Sequence, residues 1–197
     1  MNAIRVFGVV IVTIFSAAGA ELEAEKTTPF AKGSHEVAAT IGAGPSSAIL
    51  GSTIGHDMAI SVMRYGLTLS DTFAKDTFRE GHWELLGELF GGAQYNPRVR
   101  YVTGLLPAFR YNFTEYEPFV PFFDVGAGVT LTDIFGPDLS GVFQFNLQTG
   151  VGAHYFFAER TAITVEYRFM HISNAGISQP NRGVNANIFS IGLTRFF

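Results

Sequence analysis

Phe143-Gln144-Phe145-Asn146-Leu147-Gln148-Thr149-Gly150-Val151-Gly152-Ala153-His154-Tyr155 alternates apolar and polar side chains with a period of two. Successive side chains of a strand leave on opposite faces. One face therefore carries Phe143, Phe145, Leu147, Val151, Ala153 and Tyr155, and the other Gln144, Asn146, Gln148, two glycines and His154. Outward from this stretch, 119–131 repeats the pattern: Phe119, Phe123, Val125, Ala127, Val129 and Leu131 stand against Asp124, Gly126, Gly128 and Thr130. In 82–91, Trp83, Leu85 and Leu89 oppose Glu84 and Glu88, and in 98–112, Tyr101, Leu105, Phe109 and Tyr111 oppose Arg100, Gly104 and Arg110. Turn residues separate about eight such segments, at 36–45, 57–69, 82–94, 98–112, 118–131, 143–156, 161–173 and 186–197. The first two alternate poorly.

The polar faces decide between a soluble sandwich and a barrel. They hold Glu84, Glu88, Arg100, Arg110, Asp124, Glu166 and Arg168 beside many glycines. A closed eight-stranded antiparallel transmembrane β-barrel uses such a set inside, where small residues fit the lumen and opposite charges pair. Its apolar faces meet lipid, and the abundant Phe, Tyr and Trp suit the interfacial girdles. The last segment agrees: Phe189, Ile191, Leu193 and Phe197 alternate with Ser190, Gly192 and Thr194, and the terminal aromatic resembles the carboxy-terminal signature of bacterial outer-membrane barrels. Arg195 interrupts that face near the rim, where a charge costs about 0–1 kcal/mol.

Composition excludes other classes. Of 197 residues, 47% are apolar and 15% charged, which argues against a disordered chain. There is no Cys, so disulfide scaffolds, thiolate metal sites and a Cys nucleophile are excluded. A net charge of −4 gives no basic footprint for nucleic acid. Arg5, the apolar run 6–15 and the small-residue exit Ala18-Gly19-Ala20 read as a cleaved signal peptide, 1–20. The single barrel domain is then 21–197, opening on a polar periplasmic segment, 21–35.

No G-x-S-x-G, H-E-x-x-H, P-loop or EF-hand motif is present, and neither cofactor nor metal is expected. His35, His56 and His82 fall in or near turns, and His154 faces the lumen. His171 differs. In the seventh segment Ile163, Val165, Tyr167 and Phe169 form the lipid-facing side, and His171 and Ser173 continue it. At about 3.3 Å rise per residue their Cα atoms lie roughly 6.5 Å apart. With the amino terminus in the periplasm, odd strands rise, so this pair reaches the lipopolysaccharide leaflet; 70–81 then becomes an unusually long periplasmic connection.

His171-Ile172-Ser173-Asn174-Ala175-Gly176-Ile177-Ser178-Gln179-Pro180-Asn181-Arg182-Gly183-Val184-Asn185 resembles the H-x-S-N-A…P-N-x-G segment of the lipid A 3-O-deacylases, the PagL family. The resemblance implies a multi-pass barrel of the Gram-negative outer membrane, placed by the barrel-insertion machinery, with a Ser-His esterase site on its exterior and lipid A of lipopolysaccharide as substrate. Carried over, Ser173 is the nucleophile and His171 the base. The Asn174 side chain and the Gly176 N–H form the oxyanion hole, and Asn181 helps shape the site.

Where the family pattern has a Glu to orient the histidine, this chain has Asn185. Three outcomes follow: Asn185 suffices, an acid such as Asp133 or Asp138 from another external loop completes the triad, or activity is reduced or lost. The competing classes are a non-enzymatic structural or adhesion barrel and, last, a small-solute pore, because side chains normally fill an eight-stranded lumen.

Overall fold

The computed structural model describes residues 28–197. The eight strands are β1 (His35–Gly44), β2 (Asp57–Thr68), β3 (Gly81–Asn96), β4 (Arg100–Phe113), β5 (Phe119–Thr132), β6 (Phe143–Ala158), β7 (Thr161–Ser173) and β8 (Val184–Phe196). Each pairs antiparallel with the next, and β1 closes the barrel on β8, with Ala38 opposite Thr194. Closure removes both sheet edges, so every strand's backbone is paired within the wall. The signal peptide 1–20 and residues 21–27 lie outside the described residues.

Alternation puts large apolar side chains on the outside: Leu89, Leu105, Val125, Leu147, Val151, Val165 and Ile191 are all exposed. At the end of the barrel away from His171, Trp83, Tyr111, Phe113 and Phe123 form an aromatic cluster, with Trp83 and Tyr111 ring centroids 4.9 Å apart. The 69–80 connection folds back at this end through a Phe73–Gly81 bridge, and Tyr111 donates to the Arg79 carbonyl at 2.5 Å.

The lumen is filled in three layers. Nearest the His171 end lies an apolar layer that includes Met58, Ile60, Phe90, Leu106, Ile172 and Ile188. Below it is a charged belt: Arg64 bonds Glu88 at 2.6 Å and Glu166 at 2.9 Å, Arg110 bonds Asp124 at 2.8 Å, and Arg168 bonds both Glu166 and Glu88. Removing one member would strand a buried charge, so the belt pins the register of the strands that supply it. A Cβ at Gly150 would stand 2.6 Å from Asp124 Oδ1 and 2.9 Å from Glu166 Oε1, so a larger residue there would have to push these belt carboxylates aside. At the far end Phe30, Val120, Phe156 and Phe196 close the barrel, so the 21–35 segment is not polar throughout: Phe30 is fully buried.

Two details differ from the reading of the polar faces. Arg100 is not a lumen charge; it stands at the rim, 3.3 Å from Asp133. Arg64 and Glu36, absent from that reading, belong to the belt.

Candidate active site

The β7–β8 register sets His171 directly opposite Asn185. Directly opposite residues share a face with Cβ atoms about 4.5–5.5 Å apart, so the two side chains meet as a consequence of pairing alone. His171 also stands opposite Leu147 and Ser173 opposite Phe145, both exposed on the outside of β6. The parity read from sequence therefore holds in the structure: His171 and Ser173 lie on the exterior of the wall, half-buried.

His171 Nδ1 lies 2.7 Å from Asn185 Oδ1. The other end of that amide is also engaged, for Asn185 Nδ2 donates to the Ile49 carbonyl at 2.6 Å. An amide nitrogen held by a carbonyl must turn its oxygen the other way, and an oxygen can only accept. The His171 Nδ1 is therefore the donor to Asn185, and in the neutral ring the lone pair is on Nε2. Asn185 is on the exterior parity of β8 and is yet fully buried, because the 45–56 loop covers it. Ser47 N–H donates to the Asn185 carbonyl at 3.1 Å, and Asn187 Nδ2 donates to Ser47 Oγ at 2.7 Å.

Gly183 forms the other wall of the ring's seat. Its φ is +82°, and an added Cβ would lie 2.6 Å from His171 Cε1. A residue other than glycine is strained there and also collides with the imidazole. Gly183→Ala should displace the ring by about an ångström, read as shifted ¹⁵N signals of the His171 imidazole, with the barrel's heat-modifiable electrophoretic shift unchanged. Unmoved His171 signals in this variant would show that the ring does not need this seat.

Asn174 is buried in the 174–183 loop. Its Nδ2 donates to the Ser140 carbonyl at 2.9 Å and to Ser178 O and Oγ at 3.0 Å, while its Oδ1 accepts the Gly176 N–H at 3.0 Å. Asn181 Oδ1 accepts the Asn174 backbone N–H at 2.9 Å. The two expected oxyanion donors are thus bonded to each other, and Asn181 holds the backbone directly after Ser173.

Neither loop aspartate is the partner of His171. Asp133 accepts the Tyr101 N–H at 2.8 Å and pairs with Arg100. Asp138 is fully buried and accepts bonds from Ser52, Thr53 and Ile54, with His56 Nε2 at 3.0 Å. Burial alone would raise the Asp138 carboxyl; the bonds from Thr53, His56 and Ile54 outweigh it and hold the group down at about 2. Sequence reading left His56 as a turn residue and assigned no role to Gly183. Among the described residues no three His, Asp or Glu side chains converge as a metal site would need.

Beneath the pair, the exterior of β6, β7 and β8 forms a shallow groove of about 630 Å³ whose outward side chains include Val151, Val165, Tyr167, Phe189 and Ile191.

A model of the family described as lipid A 3-O-deacylase (PagL) matches residues 63–194. Among solved structures, the crystal structure of the outer membrane enzyme PagL aligns with a TM-score of 0.54 and 18% identity over 81% of this chain and 98% of that one. Neisserial surface protein A (NspA) aligns at 0.60 with 15% identity, over 84% of this chain and 100% of its own. Ail, the attachment invasion locus protein of Yersinia pestis, aligns at 0.53 with 12% identity, over 84% and 99%. At these identities the three likenesses establish the fold alone, a closed eight-stranded β-barrel. No curated protein sequence matches the chain.

Proposed function

Because the chain belongs to the lipid A 3-O-deacylase (PagL) family, we propose that it hydrolyses the acyl ester at position 3 of lipid A with Ser173 as nucleophile and His171 as base. The observation that carries this reading is the 2.7 Å contact of His171 Nδ1 with Asn185 Oδ1 on the lipid-facing exterior. It leaves the Nε2 lone pair to take the Ser173 proton as Oγ attacks the ester carbonyl. The tetrahedral intermediate collapses as His171 returns the proton to the 3-oxygen of the glucosamine, which leaves as the alcohol. Water, deprotonated by the same imidazole, then releases the fatty acid from Ser173. The substrate oxyanion displaces Asn174 Oδ1 as acceptor of the Gly176 N–H, and Asn181 keeps that backbone in place.

The substrate's position follows from the same face. The acyl chain lies along the apolar groove of β6–β8, with the sugar at the His171 end, in the outer leaflet of a Gram-negative outer membrane into which the insertion machinery delivers the barrel. The neutral Asn185 favours a second reading, a barrel that keeps the site's frame without turnover. Purified protein incubated with lipid A in detergent micelles separates the two. Release of a free 3-hydroxy fatty acid, undiminished by a chelator, is expected; no release over the uncatalysed background would leave the second reading.

A further inference from the structure

The loops at the His171 end are tied together by a buried cluster that the Ser-His chemistry does not use. His56 Nδ1 faces Gln94 Oε1 at 2.6 Å, and Gln94 Nε2 donates to the Arg98 carbonyl at 2.8 Å, so both ring nitrogens of His56 meet oxygens. Asp138 takes bonds from three consecutive residues of the 45–56 loop: Ser52 Oγ at 3.2 Å, Thr53 N at 2.9 Å and Ile54 N at 3.1 Å. Its backbone carbonyl accepts the N–H groups of Arg182 and Gly183 at 2.8 and 3.1 Å. One residue of the 133–142 loop thus holds two other loops.

Two bonded paths lead from Asp138 to the His171 ring. In the first, Ser52, held by the Asp138 carboxylate, donates its N–H to the Ile49 carbonyl at 3.1 Å, the same oxygen that accepts from Asn185 Nδ2. Asn185 in turn accepts from His171. In the second, the Asp138 carbonyl fixes Gly183, whose α-carbon is packed against the His171 ring. The geometry points to Asp138 as a positioning residue: with its buried His56 partner it locks the 45–56 and 174–183 loops in the one register that seats His171 between Asn185 and Gly183. This assignment rests on the Ser-His reading for its effect on turnover, and on bond geometry alone for its effect on the ring.

The test compares Asp138→Asn and Ser52→Ala with a control, Asp133→Asn, which removes a loop carboxylate remote from both paths. Ser52→Ala deletes a single link and serves if Asp138→Asn does not fold. Kinetics on lipid A in micelles are read beside the ¹⁵N signals of the His171 imidazole in labelled protein. The expected result is a fall in kcat of about tenfold or more with KM within about twofold, together with shifted or broadened His171 signals, while the control matches wild type in both. Wild-type kcat with an unmoved His171 signal in Asp138→Asn and Ser52→Ala overturns the proposal, as does an equal shift in the Asp133 control. If the wild-type protein itself does not turn over lipid A, the esterase reading fails separately, and the His171 signal alone decides the lock.

Discussion

Ser173→Ala and His171→Ala should each abolish release of the acyl chain, lowering kcat by about 10⁶-fold, the loss seen when nucleophile or base is removed from a Ser-His hydrolase. The two residues act as a unit, so the double variant should be no worse than either single one. Both side chains lie on the exterior of β7 and outside the charged belt that registers the strands. The variants should therefore keep the heat-modifiable shift of the closed barrel and its β-rich circular dichroism. Either variant retaining near-wild-type turnover would show the Ser-His assignment to be wrong.

Asn185→Ala should cost about 10²–10⁴ in kcat, the upper end being the effect of a wrong histidine tautomer in a triad. The substitution removes both bonds at once, to His171 and to the Ile49 carbonyl. The carboxylate variant is the more informative one. From the sequence, Asn185→Glu should keep or raise activity, because an acid adds full-charge stabilisation of the imidazolium. The structure adds an opposing effect: a carboxylate has no N–H for the Ile49 carbonyl, so the 45–56 loop loses its anchor over the site. Asn185→Glu should consequently exceed Asn185→Ala in kcat, with a loop less protected from hydrogen exchange. Full activity in Asn185→Ala would remove Asn185 from the mechanism.

The strands were legible where one face met lipid and the other the charged belt. Segments 143–156 and 161–173 fall within two residues of β6 and β7, and the exterior parity of His171 and Ser173 came straight from the alternation. Alternation faded in β2 for a physical reason. Met58, Ile60 and Val62 point into the apolar layer of the lumen while Ala59 and Met63 face outward, so both faces read as apolar. The same blurring hid Arg64. The His171–Asn185 pair was legible through family resemblance, since a lone sequence gives no register for a hairpin with so long a loop. Nothing local could have revealed that His56 meets Asp138, 82 positions away, or that Asn185 reaches Ile49 across 136. The second contact exists because barrel closure brings β1 beside β8, and the first because the β1–β2 and β5–β6 loops, from hairpins that are not neighbours in the wall, meet at the same end of the barrel.

Mass spectrometry of lipid A from Gram-negative cells expressing the wild-type chain or Ser173→Ala tests the central claim most directly. Loss of the mass of a single 3-linked hydroxyacyl chain with the wild type, and no loss with Ser173→Ala at equal barrel content, is the predicted result. Identical lipid A spectra from the two strains would contradict it.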